Sequence, residues 1–155
     1  MFFKKHWGNN KTRMRNIELG SGIERKAGYI GIDAIDYGQE YVRDVEKGLP
    51  FDDCSVDNIF AQHLLEHIRD TLFLMEDCWR VLKPGGKMEI VVPHEDSTSA
   101  WKDPTHIRAF SDTSFDFWVP GIVKFRPPNC KAQFNILSKS YDDMKHLHVT
   151  LEAIK

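Results

Sequence analysis

Ile17-Glu-Leu-Gly-Ser-Gly22 places two glycines one residue apart, directly after a short apolar run. Glycine there permits a tight turn and lets backbone N–H groups come close to a ligand. Asp33 closes the next apolar run, where a carboxylate can accept hydrogen bonds from ribose hydroxyls, and Asp44 closes the one after it. A plain strand-ending turn is the alternative for the glycines, and loop capping is the alternative for the two aspartates. Further along, His94, Glu95, Asp96 and the phrase Asp103-Pro-Thr-His-Ile-Arg108 gather titratable side chains. His106 can take a proton from a hydroxyl or amine near neutral pH, and Arg108 can hold an anionic group. The alternative for His106 is that it ties down its loop. His63-Leu-Leu-Glu-His67 also fits the H-x-x-E-H pattern, in which two histidines on a helix bind zinc and the glutamate activates water. That chemistry needs His63 inside a helix and a third ligand, whereas the preceding residues read as a strand. A zinc hydrolase is therefore the lesser alternative, and no metal ligand set is assigned. His146 and His148 share one face of a strand with no partner evident nearby.

The elements that position these residues follow from apolar runs closed by Gly or Asp: Asn16 to Leu19, Tyr29 to Asp33, Tyr41 to Val45, Val56 to Ala61 and Lys87 to Val92. Short Ile- and Val-rich runs bounded by turn residues suit strands buried on both faces of a mostly parallel sheet. Between the last two runs lies the clearest helix. Asp70 is its expected N-cap, Leu72, Met75, Trp79 and Leu82 its expected apolar face, and Pro84-Gly85-Gly86 its expected stop. His94 to Pro104 reads as a loop, Asp112 to Trp118 as a short capped helix, and Gln133 to Ser138 with Leu147 to Ile154 as a closing antiparallel hairpin.

Composition frames this as one domain over residues 1–155, with an acid-free basic arm at 1–15 that carries Lys4, Lys5, Lys11, Arg13 and Arg15. The chain is 41% hydrophobic and 28% charged, which is globular and neither disordered nor low in complexity. A net charge of −2 gives no general attraction to nucleic acid or an anionic membrane, so neither is an expected partner. Cys54, Cys78 and Cys130 are odd in number and widely spaced, which suggests neither a disulfide framework nor a zinc knuckle. With no signal-like or membrane-length apolar stretch, a cytoplasmic location is expected.

Taken in order, Ile17-Glu-Leu-Gly-Ser-Gly22, Asp33, Asp44, Leu49-Pro-Phe51, Leu65-Glu-His67 and Arg80-Val-Leu-Lys-Pro-Gly-Gly86 resemble the class I S-adenosylmethionine-dependent methyltransferases. The likeness is to the small methyltransferase-domain group and runs from about Ile17 to Pro93. It implies an α/β, Rossmann-like fold with a mostly parallel seven-stranded sheet and a C-terminal antiparallel hairpin. S-Adenosylmethionine is the implied cofactor. Residue by residue, it implies that Glu18, Gly20, Ser21 and Gly22 surround the methionine part and that Asp33 with Ala34 binds the ribose. Asp44 with Val45 would meet the adenine edge, and Gln62 and His63 would lie beneath the sulfonium. A small-molecule or glycan-like acceptor is expected, with His106 as the candidate base. Two departures stand out. There is no third glycine, and residues 20–28 are too few for a full first helix, which is therefore expected to be missing or shortened to a turn. No N-terminal lid is evident, so either the pocket is open to a large acceptor, or a homo-oligomer or another partner closes it. A non-catalytic cofactor-binding scaffold of the same fold is the alternative.

Overall fold

The computed structural model describes residues 14–155, so the basic arm lies outside the described residues except for Met14 and Arg15. Seven strands form one sheet: β1 (Asn16–Leu19), β2 (Ile30–Asp33), β3 (Tyr41–Val42), β4 (Val56–Gln62), β5 (Leu82–Pro93), β6 (Phe134–Tyr141) and β7 (His146–Ala153). Their spatial order is β3-β2-β1-β4-β5-β7-β6. β1 to β5 pair in parallel, and β7 pairs antiparallel with both β5 and β6. The C-terminal hairpin therefore closes one edge as expected. Helix α1 (Thr71–Val81) joins β4 to β5, and a short α2 (Thr98–Lys102) follows β5. One-turn 3₁₀ segments occupy Val45–Lys47, Leu65–His67 and Ser114–Trp118.

The apolar core lies on one face of the sheet, not both. Ile17, Ile59, Met88 and Leu151 stand in register across four strands and are fully buried, with Leu19, Ala61, Ile90 and Val149 in the next row. Leu74, Met75, Cys78 and Val81 of α1 join this cluster, together with Phe115 and Trp118. The opposite face presents Glu18, Asn58, Phe60, Lys87, Glu89, Thr150 and Glu152. The physical reason is the length of the crossovers. Residues 20–29 and 34–40 connect β1 to β2 and β2 to β3 as loops without a helix, so no apolar helix covers that face and its side chains are mostly polar. The first helix is thus missing, as the short connection leads one to expect.

Asp70 caps α1 as expected, accepting the Phe73 N–H at 2.9 Å, and Glu46 Oε1 takes the N–H groups of Arg69 and Asp70. The buried face differs from expectation. Leu72 is exposed, Leu74 and Cys78 turn inward, and Leu82 leaves the helix to begin β5 two residues before Pro84. The stretch after β5 is more ordered than the expected loop, since Ser97 caps α2. Ser114–Trp118 forms a 3₁₀ turn without a side-chain cap in place of the expected capped helix.

Candidate active site

The glycine turn leaves β1 in a left-handed conformation, with φ +64° at Gly20 and +54° at Gly22. A Cβ at Gly20 would stand 3.0 Å from Leu64 Cδ1, so a side chain there would crowd the segment after β4. Around Gly22 nothing lies within 4 Å of the same position, which leaves an open cradle. Asp33 shapes that cradle: its Oδ2 accepts the Gly22 N–H at 3.0 Å and its Oδ1 accepts the Ile35 N–H at 2.9 Å. Loop capping and ligand binding are therefore compatible for Asp33, because each oxygen keeps a second lone pair. Ser21 is buried, its hydroxyl has no partner among the described residues, and a Cβ on Gly31 would come within 2.8 Å of that hydroxyl. Glu18 is 6% exposed and accepts the Lys26 N–H at 2.7 Å. Burial pushes its carboxyl pKa up against that bond, so a neighbouring cation would stabilise the ionised form.

Ala34 is exposed beside Asp33. Asp44 caps the first 3₁₀ turn, accepting the Glu46 N–H at 3.0 Å, and the Val45 side chain is in the core, which leaves only its backbone for a ligand. The capping alternative thus describes what Asp44 does in the chain itself. Gln62 and His63 end β4 exposed, and His63 has φ +50°, a strained backbone for a residue with a side chain. Gln39 was not legible as a site residue. It is buried and holds loop 34–40, accepting the Tyr37 N–H at 2.8 Å and donating to the Ile35 carbonyl at 2.8 Å.

A second group assembles beside this turn. His63, His67, His94, His106, His146 and His148 all lie at the C-terminal edge of β4 and β5 or in segments packed there. His146 and His148 do have a partner: Asp142 accepts from them at 2.8 and 3.2 Å, and the His146 ring meets His63 edge-on at 4.6 Å between centroids. The Asp142 carboxyl pKa is held well below the usual carboxylate range, chiefly by the His146 backbone N–H. His94 lies 3.7 Å from Asp96 and 3.9 Å from Asp112, while Glu95 has its backbone N–H on the Phe110 carbonyl. His63 and His67 do not share a helix, since His63 sits in a left-handed turn ahead of the 3₁₀ segment. The helical zinc-protease arrangement is therefore absent. Glu66 is 1% exposed, and neither carboxylate oxygen has a hydrogen-bond partner among the described residues.

Residues 105–110 run beside 66–71, tied by Ile107 N–H to the Glu66 carbonyl at 2.9 Å and by Arg108 Nη2 to the Arg69 carbonyl at 2.9 Å. His67 and His106 stack edge-on there at 4.7 Å. Asp103 buttresses the loop, its carboxyl pKa lowered first by the Thr105 hydroxyl and then by the Thr105 N–H. Next to this pair lies a groove of about 440 Å³ lined by Arg69, Thr71, Arg108, Phe110, Phe117 and Trp118. Thr71 Oγ1, Arg108 Nε and Trp118 Nε1 are buried in its walls without hydrogen-bond partners among the described residues.

An open glycine turn after β1, an acid closing β2 and the order β3-β2-β1-β4-β5-β7-β6 with β7 reversed mark the fold. The chain has the class I methyltransferase fold. Residues 21–90 match the family described as methyltransferase domain. No curated protein sequence matches the chain. Among solved structures, an S-adenosylmethionine-dependent methyltransferase of Thermotoga maritima is 15% identical, with a TM-score of 0.67 over 92% of this chain and 83% of that one. Phosphoethanolamine N-methyltransferase 1 of Haemonchus contortus, solved with phosphoethanolamine and S-adenosylhomocysteine, is 16% identical, with a TM-score of 0.67 over 92% of this chain and 39% of that one. A chain from the Haloferax volcanii complex of the Trm112 methyltransferase activator with a methyltransferase is 15% identical, with a TM-score of 0.66 over 93% of this chain and 85% of that one.

The cofactor of this methyltransferase domain is S-adenosylmethionine, and the residues of the turn fit it. Gly22 leaves open space, and the buried Glu18 carboxylate is suited to an ammonium group. No helix among the described residues is long and apolar enough to cross a membrane.

Proposed function

We propose that the chain transfers a methyl group from S-adenosylmethionine to a small-molecule or glycan-like acceptor. In this reading Glu18, Gly20, Ser21 and Gly22 hold the methionine part, and Asp33 with Ala34 holds the ribose hydroxyls. Asp44 and the Val45 backbone meet the adenine edge, and Gln62 and His63 lie beneath the sulfonium. The observation that carries the reading is the glycine turn: Asp33 fixes it through Gly22 N–H, and it opens beside the buried Glu18. When bound, the cofactor supplies an activated methyl group, and the chain's residues position the partners for in-line displacement, where alignment carries much of the rate.

On the acceptor side, His106 is the residue on which loss of the acceptor's proton depends, and the unpartnered Thr71, Arg108 and Trp118 donors favour an oxygen-rich or anionic acceptor in the adjoining groove. The likeness to a chain complexed with an activator supports a partner or second copy closing the site. Three unpaired cysteines suit a reducing, cytoplasmic setting.

Calorimetry with S-adenosylmethionine and S-adenosylhomocysteine tests the cofactor site. Binding of both is expected, weakened by roughly 10- to 100-fold in Asp33→Ala through loss of charge-assisted hydrogen bonds. No binding of either at millimolar concentration would remove the enzyme reading.

A further inference from the structure

We propose that Glu66, His67 and His106 form a binding site for a divalent transition-metal cation of the zinc class, on the acceptor side of the cofactor turn. One ligand atom from each residue lies within 4.8 Å of the others. They come from separate parts of the chain, a 3₁₀ turn after β4 and the loop after α2, so local sequence spacing does not explain their meeting.

Three features indicate a cation as the missing partner. First, Glu66 is 1% exposed with both oxygens unpartnered by hydrogen bonds, and a buried carboxylate needs a compensating charge. The nearest basic group given by the structure, His63 Nδ1, stands 3.4 Å from Oε1 without hydrogen-bond geometry. Second, both histidines have Nδ1 directed at a backbone carbonyl, His67 at Thr105 (3.3 Å) and His106 at Ala100 (3.2 Å), and the Thr105 hydroxyl 3.1 Å from His67 Nδ1 gives its own hydrogen to Asp103 Oδ1 (2.6 Å). A carbonyl only accepts, so Nδ1 carries the hydrogen and Nε2 keeps its lone pair, the support that metal-ligating histidines commonly have. Third, two imidazoles and a carboxylate are the donor set of a three-ligand zinc site with an open fourth position.

The proposed role rests on the methyltransferase reading. An acceptor hydroxyl entering the open position becomes more acidic and gives its proton to solvent. Its oxygen then attacks the methyl carbon, the carbon–sulfur bond breaks with its electron pair going to sulfur, and the products are an O-methyl group and S-adenosylhomocysteine. His106 thus acts as a ligand, and the methylated atom is oxygen.

The test is zinc titration of the chelator-stripped full chain by calorimetry, with Co²⁺ absorption as a second readout. One Zn²⁺ per chain and a tetrahedral Co²⁺ spectrum are expected, with affinity falling by at least about a hundredfold in both Glu66→Gln and His106→Ala, at or beyond what loss of a supporting partner costs. Far-UV circular dichroism identifies variants that stay folded. His148→Ala, which removes one imidazole from the Asp142 group, is expected to leave binding unchanged. No stoichiometric zinc, equal binding in folded Glu66→Gln and His106→Ala, or loss confined to His148→Ala would each overturn the site. S-Adenosylmethionine binding without zinc binding would sink this inference and spare the methyltransferase reading. Zinc binding without S-adenosylmethionine binding would do the reverse.

Discussion

On the sheet face that α1 covers, Ile17, Ile59, Met88 and Leu151 make a continuous apolar row; one residue along each strand, the other face shows Glu18, Phe60, Glu89 and Thr150. Burial of branched side chains holds the first. The second is held by loop 20–29, which folds over it: Lys26 Nζ lies 3.8 Å from the centre of the Phe60 ring and 3.0 Å from Glu89, and its backbone N–H reaches Glu18. Hydrophobic burial supplies most of the stability, while polar contacts set position. The cofactor turn is therefore anchored from the face that contributes least to the core.

Three measurements sharpen or break that contrast. The largest effect is expected at Leu151, where Leu151→Ala should cost about 2–5 kcal/mol in chemical denaturation because it leaves a cavity. Its neighbour Thr150 faces the other way, and Thr150→Ala should stay within about 0.5 kcal/mol. Equal losses would mean that the polar face is also covered in solution. An intermediate effect is expected in acid. Asp142 on the hairpin has its folded pKa lowered first by the His146 N–H and then, against desolvation that raises it, by the His148 and His146 rings. Its stabilisation is complete above the unfolded carboxyl pKa of about 3.9 and declines as pH falls toward the folded value. Asp142→Asn should therefore flatten the acid limb of the stability profile below about pH 4, and an unchanged limb would assign acid loss to other carboxylates. The smallest effect is expected for Lys26→Ala, at about 1 kcal/mol or less and weakened by salt, since its ion pair with Glu89 is partly exposed. A larger loss would show that loop 20–29 contributes to the core.

Much of the fold was legible. Asp70 announced α1, the ordered turn motifs announced five parallel strands, and the C-terminal alternation announced the hairpin. The burial of both sheet faces was misread because Ile- and Val-rich runs look alike whether or not the intervening residues face solvent; Asn16-Ile-Glu-Leu19 already alternates. Leu72 misled for a related reason: it lines the groove instead of the core.

Sequence alone determined what local chemistry can decide. Glycines at Gly20 and Gly22 fix a turn that bulkier residues resist, and a crossover of ten residues cannot hold a full helix alongside its turns. Tertiary structure decided which distant residues meet. Glu66 and His67 lie about forty positions before His106, and Asp142 meets His63's neighbour His146 only because β7 pairs antiparallel with β5. Parallel strands bring their C-terminal ends to one edge, so residues with no shared spacing converge there, and neither their distances nor the unpartnered state of Glu66 is encoded in a local pattern.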